Sequence, residues 1–414
     1  MEKKSLILKF FIKWLFIGTI VGAIVGSICV IFLNFLHYAT YLRENNPYLL
    51  FLLPFGGAFI SWLYVKYGKN SSKGTNLILD EIYEDKDKIP LRMGFLVFLG
   101  TIVTHLFGGS AGREGTAVQM GAAIADKIGS IFHLTKQNRK LILLAGISSG
   151  FGAVFGIPLA GAVFAMEVIE IGKIEYEALI PCLISAFVGQ LVALRLHVHH
   201  SIYKAGDISQ GSFSLEVILK VIIASLFFAL ASILFSQGIH FCKKIYTKLF
   251  PNLILRSFAG GILVIILVYL WGSRNYIGLG TNFIEDSFFH VKSIWDPISK
   301  IIFTSVTLGA GFQGGEVTPL FFTGASLGSS LAPYLNLAPD FLASLGLVAV
   351  FAGATNTPIS SFIMGIELFG GHNASYLFLA CFISYIFSGN KGIYSSQKVA
   401  IEKINILEEK EEAK

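Results

Sequence analysis

Two glycine-rich segments each contain one glutamate that could exchange protons while a small anion binds beside it. Glu114 lies in the run GGSAGREGTAVQ, and Glu316 lies in the run GFQGGEVTPLFF. Both runs share the spacing GxExT, and both continue directly into apolar residues. An apolar stretch after a flexible glycine loop predicts a helix, so each glutamate should lie at or just before a helix N-terminus. Pro319 is expected at the first position of the second helix.

A helix N-terminus inside an apolar chain is a potential anion site. Its first N–H groups have no partner within the helix, and the macrodipole adds partial positive charge. A carboxylate at this position competes with an anion for the same donors, and protonation removes its charge. Glu114 could therefore couple proton movement to anion movement. The alternative is a carboxylate that only caps a helix, but two such acids at membrane depth favour a functional role for Glu114 and Glu316.

The elements that position these glutamates must lie in a lipid bilayer. Of 414 residues, 54% are hydrophobic and only 14% are charged, which excludes a soluble globular protein. The stretch from Trp14 to Leu33 contains no charged residue and has the length that a membrane span needs. We expect it to be a membrane helix of the mature protein and not a signal peptide that is cleaved off. The net charge of +6 lies mostly between spans and predicts cytoplasmic termini rather than a nucleic-acid partner.

Several other apolar stretches are too short or too rich in glycine to cross a bilayer alone. Short segments interrupted by Gly and Pro are typical of transporters whose helices stop inside the membrane around a binding site. The sequence therefore predicts an all-α polytopic membrane protein with broken helices and about 16 to 18 helical segments.

An internal repeat accompanies the broken helices. The GxExT pattern recurs at an offset of 202 residues (316 minus 114). Pro158 precedes Glu167 by nine residues and Pro358 precedes Glu367 by nine, an offset of 200 residues (367 minus 167). Two matches in the same order at nearly one offset favour duplicated halves, and the alternative is coincidence in a chain with 43 glycines.

The predicted domain organisation is a single transmembrane domain over residues 1–414. Its first repeat covers roughly 10–200 and its second repeat roughly 210–395. The charged residues 402–414 are expected to form a short cytoplasmic tail, too short to hold paired regulatory (CBS) domains.

The chain resembles the CLC family of chloride channels and proton-coupled anion exchangers. GREG is similar to the GREGP motif of that family, and FGIPLAGAVFAMEV (155–168) resembles its helix at the dimer interface. The resemblance implies a CLC-type fold with two inverted-topology repeats, one anion pathway in each subunit and a homodimer. It also implies that Glu114 is the gating glutamate and that the Tyr394 hydroxyl lies beside the central anion.

Three departures from the usual CLC motifs resemble the fluoride-exporting branch of the family. GREGP ends here in Thr116, residues 74–78 (GTNLI) replace GSGIP, and residues 315–319 (GEVTP) replace GxFxP. Fluoride is a small, strongly hydrated anion, so a dry site for it needs several short, well-directed donors. The residues expected to contact the ion are Thr75, Asn76, Gly112, Arg113, Gly115, Val317, Thr318 and Tyr394. Thr75 and Asn76 could equally cap the helix of the KGTNLILDEI segment.

The function predicted from the sequence is a fluoride/proton antiporter that exports cytoplasmic fluoride across the cell membrane. No cofactor, metal or enzymatic activity is expected, and the expected partners are fluoride, protons and membrane lipid. A passive anion channel and a chloride exchanger are the alternatives on the same fold. An intramembrane hydrolase using Ser149 and His105 is a remote alternative, because it would need a nucleophile and a base at membrane depth and HExxH is missing. The run containing His197, His199 and His200 favours an interfacial loop over a metal site.

Overall fold

The computed structural model describes residues 2–85, 87–198 and 214–403, in which sixteen α-helices and one pair of very short strands occur. The predicted all-α class is confirmed. The helices are α1 (Glu2–Asn45), α2 (Leu53–Leu63), α3 (Thr75–Glu84), α4 (Leu91–Leu106), α5 (Glu114–Ile131), α6 (Lys136–Phe155), α7 (Pro158–Glu167), α8 (Leu179–Arg195), α9 (Leu215–Leu249), α10 (Leu253–Trp271), α11 (Thr281–Asp286), α12 (Trp295–Gly309), α13 (Val317–Leu335), α14 (Pro339–Thr355), α15 (Pro358–Phe369) and α16 (Ala374–Phe387). Short helical turns of other pitch cover Pro47–Leu52, Tyr64–Gly68, Lys69–Lys73 and Tyr176–Ala178.

Long and broken helices both occur, as the hydropathy pattern predicts. In the described part of the chain, five helical segments are long and apolar enough to cross a bilayer, and α1 is the longest at 44 residues. Other apolar helices contain only 10–17 residues. The apolar stretch 141–169 is divided because Gly156, with a φ of 78°, ends α6, and Pro158 begins α7.

Glycine pairs allow two pairs of helices to cross at backbone contact. A Cβ atom on Gly121 of α5 would collide with the carbonyl of Gly146 on α6, and a Cβ atom on Gly146 would collide with Gly121. Gly324 of α13 and Gly346 of α14 have the same relationship. Small residues at such crossings permit the close packing that drives helix association in lipid. Equivalent crossings in the two halves support the predicted repeat.

A cluster of phenylalanines joins the two halves into one core. The Phe151 and Phe351 rings have centroids 6.1 Å apart, and the Phe155 and Phe321 centroids are 5.1 Å apart. Phe321 also makes an edge contact with Phe351 at 5.5 Å. Rings at these separations add favourable contacts beyond the area that they bury. These ring contacts therefore pack the C-terminal end of α6 against the start of α13.

The C-terminal segment returns to the end of α7. Strand β1 (Glu170–Ile171) pairs in parallel with β2 (Lys398–Val399). The Gln397 side chain donates to the carbonyl oxygen of Val168 at 2.9 Å. These bonds fix the segment that contains Tyr394.

The Lys403 side chain caps the C-terminal end of α16. Its Nζ donates to the carbonyl oxygens of Tyr385 at 2.7 Å and Gly389 at 2.6 Å, which is a favourable place for a cation because helix C-termini carry negative partial charge. Residues 404–414, most of the predicted tail, lie outside the described residues.

Candidate functional site

The two GxExT loops meet at the centre of the site. Gly112 N–H donates to the Gly315 carbonyl at 2.6 Å, and Gly315 N–H donates to the Gly112 carbonyl at 2.8 Å. Side chains do not fit here, because a Cβ atom on Gly112 would approach the Gly315 carbonyl oxygen to 2.9 Å. Gly112 therefore allows the backbones of the two loops to approach closely. Its N–H group is already bonded to the Gly315 carbonyl oxygen and does not point to an ion.

Both glutamates lie at helix starts, as their sequence context predicts. Glu114 is the first residue of α5, and Glu316 is the N-cap of α13. The expected position of Pro319 is wrong, because this proline is the third residue of α13 rather than the first. The first four N–H groups of a helix have no intrahelical partner, so proline is tolerated throughout this turn.

The Glu114 carboxylate is fully buried and held by donors from both helix starts. It accepts the backbone N–H of Arg113 at 3.0 Å and the backbone N–H of Thr318 at 3.2 Å. It also accepts the Thr318 hydroxyl, and Arg113 Nε lies 3.7 Å from the same carboxylate. The carboxylate therefore uses the donors that an anion at this position would need.

A polar cavity of about 390 Å³ adjoins these helix starts. Its wall includes Lys73, Thr75, Asn76, Gln119, His240, Lys243, Arg256, Glu316 and Tyr394. Lys243 and Arg256 place positive charge on this wall, which attracts small anions, whereas Lys73 is paired with Asp80 at 3.4 Å. The Glu316 carboxylate extends from the cavity toward the start of α5, where a Cβ atom on Gly115 would lie 3.7 Å from its Oε2.

Thr75 and Asn76 line the cavity without capping α3. The N-cap of α3 is Gly74, and neither side chain makes a capping bond, so the capping alternative is wrong. The Asn76 side-chain oxygen instead accepts the backbone N–H of Ser396 at 3.0 Å. This bond ties the start of α3 to the segment carrying Tyr394, which is buried on the same cavity.

The predicted residues thus separate into two groups. Thr75, Asn76, Glu316 and Tyr394 share the cavity, and a second set surrounds the Glu114 carboxylate. The second set consists of Gly112, Arg113 and Thr318, and Gly115 and Val317 lie next to it in the first turns of α5 and α13. The sequence reasoning missed Gln119, which also lines the cavity. The available signal was a lone amide five residues after Glu114, within the apolar run that extends from Ala117 to Ala125 of α5.

The hydrolase alternative has no support from the geometry of its two residues. Both ring nitrogens of His105 face carbonyl oxygens, Nδ1 that of Thr101 at 2.8 Å and Nε2 that of Ala111 at 3.0 Å. His105 therefore braces the loop before Gly112 and is not free to serve Ser149 as a base. His199 and His200 lie outside the described residues, and the absence of a metal site stays a prediction.

Comparison with known proteins identifies the family. Residues 56–389 match the CLC family, described as "Voltage gated chloride channel". The chain belongs to the CLC family. It is 44% identical over 403 residues to the "Chloride/fluoride channel protein" of Pseudomonas syringae pv. tomato, a match that covers 96% of this chain and 89% of the relative.

Solved CLC structures share this architecture. A crystal structure described as a CLC-type fluoride/proton antiporter superposes with a TM-score of 0.90 at 34% identity, covering 94% of this chain and 98% of that one. The structure of a slow cyanobacterial Cl⁻/H⁺ antiporter superposes with a TM-score of 0.79 over 92% of this chain and 96% of that one. The latter is only 19% identical and shows the fold alone. The CLC-type fold predicted from GREG is therefore confirmed, with its inverted repeats and broken helices.

Proposed function

We propose that this CLC protein is a fluoride/proton antiporter that exports cytoplasmic fluoride in exchange for protons. The observation that carries the proposal is the position of the Glu114 carboxylate, which accepts donors from the starts of both α5 and α13. While charged, it blocks the anion. When protonated, it gives up these donors, and fluoride takes its place.

The surrounding residues suit a strongly hydrated anion. Fluoride must recover, inside the protein, the hydrogen bonds that it loses on leaving water. Thr318 offers a hydroxyl and a backbone N–H, and Thr75, Asn76 and Tyr394 lie along the approach. We assign Glu316, which lies on the wall of the same cavity, as the second carboxylate that carries protons.

The descriptions of the relatives support exchange more than passive flow. The solved structure at 34% identity is described as a fluoride/proton antiporter, and its match covers almost the whole of both chains. The Pseudomonas relative is named a channel, so a passive anion pore is the second candidate.

The protein is assigned to the cell membrane as a multi-pass homodimer with cytoplasmic termini. Each subunit would contain one pathway formed by repeats over roughly 10–200 and 210–395. The helix within 155–168, which is α7 in the structure, is assigned to the dimer interface on the family resemblance.

The decisive experiment measures fluoride against a proton gradient. Liposomes containing the purified protein would hold equal fluoride on both sides, a pH difference, and a membrane potential clamped with potassium and valinomycin. Fluoride moving toward the acidic compartment supports the antiporter, because a passive pore cannot use a proton gradient. Fluoride that follows only the voltage, when the clamp is changed, contradicts it.

A further inference from the structure

Gln119 is a polar side chain of the pathway to which no role has yet been assigned. It lies on α5 five residues after Glu114, about 7.5 Å further along the helix axis at 1.5 Å per residue. Its side chain is 6% exposed and lines the cavity shared by Glu316 and Tyr394. A buried carboxamide normally has hydrogen-bond partners for both its nitrogen and its oxygen.

Only one end of this amide is paired within the protein. Gln119 Nε2 lies 3.5 Å from the Thr75 hydroxyl, and Gln119 Oε1 is buried without a partner. An unpaired buried acceptor costs about 1–3 kcal/mol unless a ligand or water completes it. Because Gln119 lines the cavity, a molecule or ion that enters the cavity can supply this partner.

The Thr75 hydroxyl permits the amide to take either of two orientations. A hydroxyl can both donate and accept, so it can pair with the amide nitrogen or with the amide oxygen. A half-turn of the carboxamide exchanges these atoms while its heavy-atom outline stays the same. The side of Gln119 that faces away from Thr75 can thus present an acceptor or two N–H donors.

We propose that Gln119 is an ion-contacting residue that serves both transported ions by rotating its carboxamide. With the nitrogen toward the cavity, it donates to fluoride. With the oxygen toward the cavity, it accepts a hydrogen bond from a proton carrier, either the protonated Glu316 carboxyl or hydrogen fluoride. This inference rests on the proposed function, since it assigns a ligand within that same pathway.

The arrangement also explains why α5 contributes twice to the pathway. Residues five positions apart on a helix face different sides, so Glu114 reaches the start of α13 and Gln119 reaches the start of α3. The helix thereby contacts both walls between which the ion passes.

The test compares Gln119→Leu with Gln190→Leu in the full-length protein. Gln190 on α8 is a matched control, because its Oε1 is also buried and unpaired but it does not line the cavity. Sodium fluoride binding would be measured by calorimetry in detergent, together with thermal stability with and without fluoride. Loss of one hydrogen bond to a charged ligand predicts a Kd about tenfold higher or more for Gln119→Leu. Its stability without fluoride should match that of the control.

Two further variants complete the test. Gln119→Glu keeps an acceptor but offers no N–H donor when ionised, so it should bind fluoride at least as weakly as Gln119→Leu. Gln119→Met, with an unbranched side chain of similar length, replaces Gln119→Leu if that variant does not fold. A fluoride Kd within twofold of wild type for the apolar variant would overturn the proposal. Equilibrium binding is independent of transport, so this result is separate from a failure of wild-type protein to couple fluoride to protons.

Discussion

Glu167 and Glu367 each cap the helix that carries the other. The Glu367 carboxylate accepts the N–H groups of Leu159 and Ala160, at 3.0 and 2.7 Å, at the start of α7. The Glu167 carboxylate accepts the corresponding groups at 3.0 and 2.7 Å at the start of α15. Negative charge at a helix N-terminus is stabilising, so each helix supplies the anion that the other requires. This exchange links the two repeats directly.

Replacing either acid with its amide should destabilise the protein by a similar amount. In Glu167→Gln or Glu367→Gln, an NH₂ group that cannot accept a hydrogen bond replaces one carboxylate oxygen, and the negative charge is lost. The free energy of unfolding should therefore fall by about 1–2 kcal/mol. Thermal unfolding in detergent would show this as a lower Tm. Glu402→Gln is the control, because Glu402 is exposed and lies outside the helices. Markedly unequal losses for the two variants would argue against an equivalent role.

The Glu114→Gln variant should block exchange or separate fluoride movement from proton movement. A neutral amide can neither carry the proton nor compete with fluoride as a charged group for the Thr318 donors. Fluoride flux and proton flux would be recorded from the same liposomes with an ion-selective electrode and a pH electrode. Normal coupled flux in this variant would refute the gating assignment.

Glu316→Ala and Glu316→Gln should reduce fluoride transport at least tenfold in protein that still folds. The carboxylate lies on the cavity wall and approaches the start of α5, so its loss removes the second proton carrier. Fluoride efflux would be measured alongside size-exclusion profiles and the Tm. Unchanged efflux would refute the assignment of Glu316 as a proton carrier.

The Arg139 network should make stability depend on pH through Asp85. Arg139 pairs with Asp126 at 2.6 Å and with Asp85, and Lys136 lies 3.3 Å from Asp85. Burial would raise the pKa of Asp85, but the hydrogen bonds and charges of Arg139 and Lys136 outweigh burial, and the pKa lies below its usual 3.8. A lowered carboxyl pKa gives stability that is present above that usual value and is lost as the pH falls through the folded pKa.

Asp85→Asn should therefore lower the Tm at pH 7 and have progressively less effect as the pH falls below about 4. Thermal unfolding at several pH values would measure the difference from wild type. Glu177→Gln, at an exposed glutamate, should show no such trend. A Tm difference that is constant from pH 7 to pH 3 would contradict the electrostatic explanation.

Local sequence patterns predicted which residues carry the chemistry of the site, but they did not predict which residues contact one another. A glycine loop before an apolar run placed Glu114 at a helix start, because backbone freedom and periodicity are encoded within a few residues. Thr75 was equally consistent with a cap, and only the fold shows that it faces Gln119. The capping role of Glu367 was also hidden, since its partners lie some 200 residues away. Contacts between distant segments leave no periodic trace in one sequence.

The bond between Asn76 and Ser396 bears on how the protein is made. It joins residues 320 positions apart, so the cavity wall closes only after nearly all of the described chain has been synthesised. Until then, the polar groups of Asn76 and of the backbone around Ser396 lack each other as partners. Biogenesis therefore has a vulnerable interval that ends when the last segment docks. Substitutions at Ser396 or β2 should act first on the yield of folded protein.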